Sequence, residues 1–314
     1  MAALHKNIVL SLISLILCHF IAHGFSLHQT DATCLTATPD TTQLSCVETR
    51  GGASNNVNPH SRKIILDFLS SNSQNGDFHI QGWRWHFMSL IRDTERLERL
   101  AVYLSQHEHE DLKIIESAAD FLINFNMAGL HRVEGEMFVA WLRSKLCDAA
   151  VVGEYCEDGK GVADAFRDVI DTVDEYRVQS SKMGNELYAK AKAAVNKPDK
   201  RQQNLNDVIQ LSSQLSERLQ QMRTLQETLV VPAISVVVPS KSQKSFNNRV
   251  LLKLGVLESR VHLVGMHDAV WQSGIESEKA KFETEIPYVA RLMIERWRKS
   301  LYNPKAEMLD YGLN

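Results

Sequence analysis

The sequence is poor in the residues that most often announce chemistry. Of its 314 residues only 5 are cysteine, 7 proline and 15 glycine, and aromatics make up 7%. No two cysteines stand in a Cys-x-x-Cys pair, which argues against a thiolate zinc site. A glycine-rich phosphate loop, a dinucleotide fingerprint and a nucleophile placed beside a base are all missing. Charge of neither sign dominates: the formal net charge is −3, so the bulk basicity that nucleic-acid binding needs is lacking. No run alternates apolar and polar residues with a period of two, so no strands are predicted. Scarce glycine and proline favour helix, and a hydrophobic content of 44% is enough for a core.

The one long apolar run is at the start. Ile8 to Ala22 is broken only by Ser11, Ser14 and His19, and Ala22-His23-Gly24 offers the small residues that a signal peptidase reads. This predicts a cleaved signal peptide over 1–24, too short for a membrane span, and a secretory or lumenal destination. A bipartite plastid presequence is the alternative, weakened by Asp31, Asp40 and Glu48. Residues 25–60, rich in Ser, Thr, Asn and Gly, predict a flexible leader. Cys147 and Cys156 flank an inter-helix loop, where they either close a disulfide or stay as free thiols.

Beyond residue 60 the apolar spacing is helical. Long helices are expected over about 81–106, 111–146, 162–195 and 204–234, with a short one near 66–71. Short joins between four long rods predict an all-α, up-down four-helix bundle over 61–237. A fifth helix (246–271), apolar around most of its circumference and so expected to be buried, and a sixth (276–302), interrupted at Pro287, form an extension over 238–314 that packs on the bundle.

At 100° per residue, His86 and Asp93 share the face of Leu90, Leu97 and Leu104. His131 and Glu134 share a face with Met127, Phe138 and Leu142, while Glu136 points away. Inward charge is costly unless paired or bound to metal. Two neighbouring helices each carrying a His and a carboxylate thus suggest either a metal site or a hydrogen-bonded network. The third rod has no histidine; Asp164, Asp168, Asp171 and Glu175 fall on its outer face, with Asp174 at the boundary. On the fourth, Gln226 falls on the inner face and Glu227 off it. His262 and His267, five residues apart, point in different directions, and a hydrogen-bonded role is the simpler reading for each.

Two stretches gather these residues: Leu130-His131-Arg132-Val133-Glu134-Gly135-Glu136-Met137-Phe138-Val139-Ala140-Trp141-Leu142, and Gln226-Glu227-Thr228-Leu229-Val230-Val231-Pro232-Ala233-Ile234. With His86 they resemble the hemerythrin-like, or HHE cation-binding, family over about residues 80–237. The resemblance implies an iron-binding bundle with O₂- or redox-linked chemistry. The implied ligand set is His86, His131 and Glu134, with Asp93 as ligand or orienting group and Glu227 from the fourth helix. The sequence departs from the family where Gly135 replaces the bridging glutamate, where the third helix lacks histidine, and where Arg223 replaces the fourth helix's histidine. An incomplete iron site is therefore expected; the alternative is a metal-free interaction or structural module on the same fold.

Overall fold

The computed structural model describes residues 57–72 and 76–312; the expected signal peptide, the first three cysteines and the expected leader up to residue 56 lie outside them, while its last residues differ from the expectation, with Val57 buried and Pro59 and His60 in a helix. Every regular element among the described residues is helical. Helix α1 (Pro59–Ser71) begins where Asn58 accepts a hydrogen bond from the His60 amide and Pro59 takes the first turn, where a missing N–H costs nothing. Helix α2 (Gln81–Gln106) is an uninterrupted 26-residue rod. The next rod, α3, runs from Lys113 to Leu146 and is α-helical except for two π-helical turns, Phe121–Met127 and Glu134–Phe138. A short helix, α4 (Ala149–Gly153), follows.

The sequence Asp158-Gly159-Lys160-Gly161, which reads as a loop, instead starts the 38-residue α5 (Gly159–Asn196): the Asp158 carboxylate accepts from the Gly161 amide and caps it. Rod α6 comprises Arg201–Leu225, a π-turn Gln226–Val230 and Val231–Val237, with Pro232 tolerated in the first turn of that last segment. The chain continues through α7 (Ser240–Leu254), α8 (Val256–Gln272), α9 (Glu276–Glu285) and α10 (Tyr288–Trp297). A π-turn, Arg298–Tyr302, extends α10. Pro287 separates α9 from α10, as expected.

Helix α2 packs on α6, α6 on α5, α5 on α3 and α3 back on α2, while α8 lies along α2 and α1 along α5. The interior between them is filled by Trp85, Leu90, Leu97, Leu100, Phe166, Ile170, Leu215 and Leu219. Phe166 meets Phe68 edge to face, ring centroids 5.8 Å apart, which ties α1 to α5. Truncating it to alanine is expected to cost about 3–5 kcal/mol, read as a lowered urea midpoint at unchanged slope.

One expectation is corrected. The single buried helix over 246–271 is two helices, because Gly255 adopts φ +76° and ends α7. A methyl group at Gly255 would meet nothing, so the backbone angle alone calls for glycine there. The break turns Leu251, Leu252, Val256 and Leu257 outward. Cys147 and Cys156 are free thiols, and burial pushes the Cys147 thiol up to about 11. No helix among the described residues is long and apolar enough to cross a membrane.

Candidate functional site

Each π-turn brings a polar group into the interior. Asn126 comes from the first turn of α3, Glu134 from the second, Gln226 from α6 and Tyr302 from the end of α10, and all four are buried. A π-turn holds one residue more than an α-turn, so it re-aims the side chains beyond it and recurs at functional positions. Here the four turns feed two polar centres.

The first centre is a chain of hydrogen bonds built on α2. Asp93 is fully buried; its Oδ1 accepts from Arg92 (Nη2, 2.7 Å) and Arg96 (Nη1, 2.9 Å). Its Oδ2 accepts from the Asn126 amide nitrogen at 2.9 Å. That contact turns the Asn126 carbonyl towards His86, whose Nε2 lies 2.8 Å away and so carries the donated proton. Arg92 also reaches the Tyr302 hydroxyl at 2.6 Å and the Gly265 carbonyl at 3.2 Å, and Arg96 reaches Asp310 at 2.8 Å. The His86 ring packs on His262 with centroids 4.4 Å apart. His262 Nε2 donates to Glu258 at 3.3 Å, and Glu258 is also held by Arg132. Burial, with His262 next to it, holds His86 well below the ordinary imidazole range. The hydrogen bond from His262, with that from Arg132, takes the Glu258 carboxyl down to about 2.

The second centre lies further along α3. Glu134 is 1% exposed, and its Oε1 accepts from the Trp83 indole (3.1 Å) and the Gln226 amide (3.3 Å). Its Oε2 has no partner, nor have Gln226 Oε1 and His131 Nε2. His131 Nδ1 meets Ser181 Oγ at 2.8 Å. Burial raises the Glu134 carboxyl to about 7 against the pull of those donors. Burial and the nearby Arg177 guanidinium lower His131 to about 4. Burial therefore disfavours charge on both the imidazole and the carboxyl of this centre.

The five residues expected to bind metal differ in the partners that hold them, although His131 is near enough to His86 to act on it electrostatically. His86 and Asp93 belong to the first centre and His131 and Glu134 to the second, all buried as the helical spacing implied. Glu227 is half-buried and paired with Arg84 (3.3 Å) and Arg223 (3.0 Å). The outer-face acids of α5 are exposed, with Asp164 and Asp171 paired to Arg167 and Arg143.

These residues do not fit the iron site that the resemblance implies. The Asp93 carboxylate is filled by two guanidiniums and an amide, and the His86 Nε2 atom is engaged by Asn126. Gly135 stands where the bridging glutamate would be, and an added Cβ there would lie 2.9 Å from an Arg177 guanidinium nitrogen. A cation of the protein's own occupies that space. Among the described residues no group of three or more His, Cys, Asp or Glu side chains could hold an ion.

Nothing in the sequence analysis points to Asn126, Arg92, Arg96 or Arg177. Asn126 could have been found: it is an amide inside the apolar run Phe121–Met127. The spacing of Asp93 and Arg96, three residues apart, also marks an intrahelical ion pair. The chain matches no family model, no curated protein and no solved structure.

Proposed function

We propose that the chain is a metal-free structural and interaction module on a hemerythrin-like four-helix plan, with arginines balancing the interior carboxylates in place of ions. The observation that carries this reading is Asp93, whose buried carboxylate is held by Arg92 and Arg96. Arg177, itself paired with Asp174, lies against Gly135 and adds a weaker electrostatic pull on Glu134. The ring of contacts α2–α6–α5–α3 supports the four-helix plan, and α8 along α2 supports a packed C-terminal extension. The apolar run at 8–22 supports entry to the secretory route.

A second reading has one observation in its favour. His131 Nε2, Glu134 Oε2 and Gln226 Oε1 are buried and unpartnered, and each is a possible ligand for a divalent ion such as iron. Refolding with ferrous iron under argon, desalting and elemental analysis separates the two. The metal-free reading expects no stoichiometric iron and a melting temperature indifferent to iron or chelator. Iron retained one per chain, and lost in His131→Ala, would establish the second reading instead.

A further inference from the structure

The elbow between α7 and α8 is one of two clusters of exposed apolar side chains among the described residues, the other being Tyr288, Val289 and Leu292 on α10, and it carries the most exposed single residue. Leu252 is 80% and Leu257 66% exposed, with Leu251 and Val256 exposed beside them. Four large aliphatic side chains cluster around one backbone turn at Gly255, where scattered single residues would need no explanation.

The stretch of chain that forms the elbow is basic. From Thr228 to Leu257 the chain carries Lys241, Lys244, Arg249 and Lys253 and no acidic residue, in a protein whose net charge is −3. At 100° per residue Lys241, Lys244 and Leu252 fall on one face of α7, and all three are exposed. The opposite face buries Gln243 and Phe246 against the rest of the protein. Cations thus follow the outer face of α7 and lead to the leucines at its end. Two carboxylates beside it are engaged: Glu136 by Lys253 at 2.5 Å, and Glu258 by Arg132 and His262.

We propose that the α7–α8 elbow docks on an anionic lipid surface, with Leu252 and Leu257 entering the acyl boundary and Lys241 and Lys244 meeting the headgroups. Protruding aliphatic side chains on a basic face are the chemistry such a surface recognises. An acidic protein partner would satisfy the lysines without needing leucines so exposed. This proposal is independent of whether the interior holds a metal.

The test uses the full chain with two kinds of vesicle, phosphatidylcholine alone and phosphatidylcholine mixed with phosphatidylserine. Hydrogen exchange is followed by mass spectrometry, and co-sedimentation gives the partition coefficient. Amides of residues 248–257 are expected to gain protection on the mixed vesicles only, and to lose it at high salt. The Leu252→Ser/Leu257→Ser variant loses that protection and binds at least roughly tenfold more weakly. Lys241→Gln and Lys244→Gln each lower binding about fivefold. All four positions are exposed, so circular dichroism should be unchanged. Because every variant keeps the apolar run at 8–22, differences between them report the elbow. Absence of protection at 248–257, or equal binding by the leucine variant, overturns the proposal. So does concentration-dependent self-association abolished by the same leucine substitutions, which would assign the face to a second copy of the chain.

Discussion

Replacing Asp93 with asparagine lowers the unfolding free energy by about 3–5 kcal/mol, the cost of leaving buried charge without its partner. Asp93 is completely enclosed, and the two guanidiniums on its Oδ1 are themselves nearly so. Without the carboxylate, Arg92 and Arg96 repel each other in a poorly solvated interior, and Arg96 keeps only Asp310. Asn126 also loses the acceptor that orients it, and its contact to His86 loosens. Urea unfolding at neutral pH reads the loss directly, as a lower midpoint at unchanged slope. A loss under 1 kcal/mol would mean that water reaches Asp93, and the buried network described above would not exist. Asp93→Asn in combination with Arg96→Met should recover part of the loss, since removing both members of a buried pair is cheaper than removing one.

The second large effect belongs to Glu134 and His131, and its sign changes with pH. The Glu134 carboxyl rises from 4.5 in the unfolded chain to about 7 in the folded one. The folded state therefore binds the extra proton between those values, and stability falls as pH rises through the window. At about 1.4 kcal/mol for each pH unit the loss is about 3 kcal/mol above pH 7. Glu134→Gln keeps an acceptor for Trp83 and removes the charge, so it is expected to be more stable than the native chain by up to that amount at pH 8. Near pH 4 the two should match. His131 works in the opposite direction. Its folded value of about 4 against 6.5 unfolded means that the unfolded state takes up the proton first, and stability falls as pH drops from 6.5 towards 4. The lowered His86 adds to the same loss. Across the window the carboxyl and the imidazoles oppose each other, and Glu134→Gln should therefore expose a steep acid dependence that the native chain partly hides. Unfolding free energies at a series of pH values give these difference curves. If Glu134→Gln is the less stable chain at every pH, a cation holds the carboxylate, either Arg177 or a bound ion, and the iron analysis described above separates the two.

Much of the fold was legible because helices advertise themselves locally. The four long rods, the break at Pro287 and the inward facing of His86, Asp93, His131, Glu134 and Gln226 follow from apolar spacing, which an α-helix converts directly into faces. Gly255 was harder to read. A glycine inside a helical pattern is tolerated as often as it breaks one, and only the backbone angle shows which happened. The identity of the interior partners was not legible at all. Ser181 reaches His131 and Arg177 lies against Gly135 from a different rod, and Asp310 meets Arg96 across 214 residues. Arginine also reads as a surface residue by composition, yet Arg92 and Arg96 fold back along α2 onto a buried carboxylate. The burial of His86, Asp93, His131 and Glu134 was thus legible, and what faces them was not.

The four π-turns have a consequence for how this sequence can change. Each stores one surplus residue in an otherwise regular rod. Losing a single codon within 134–138 would leave a rod just as continuous, relaxed to ordinary α-geometry, but everything beyond it would swivel by about 100°. Val139 and Leu142, now inside, would then face other neighbours. The reading frame of such a helix is kept by its packing partners, so insertions and deletions here should be rarer than substitutions.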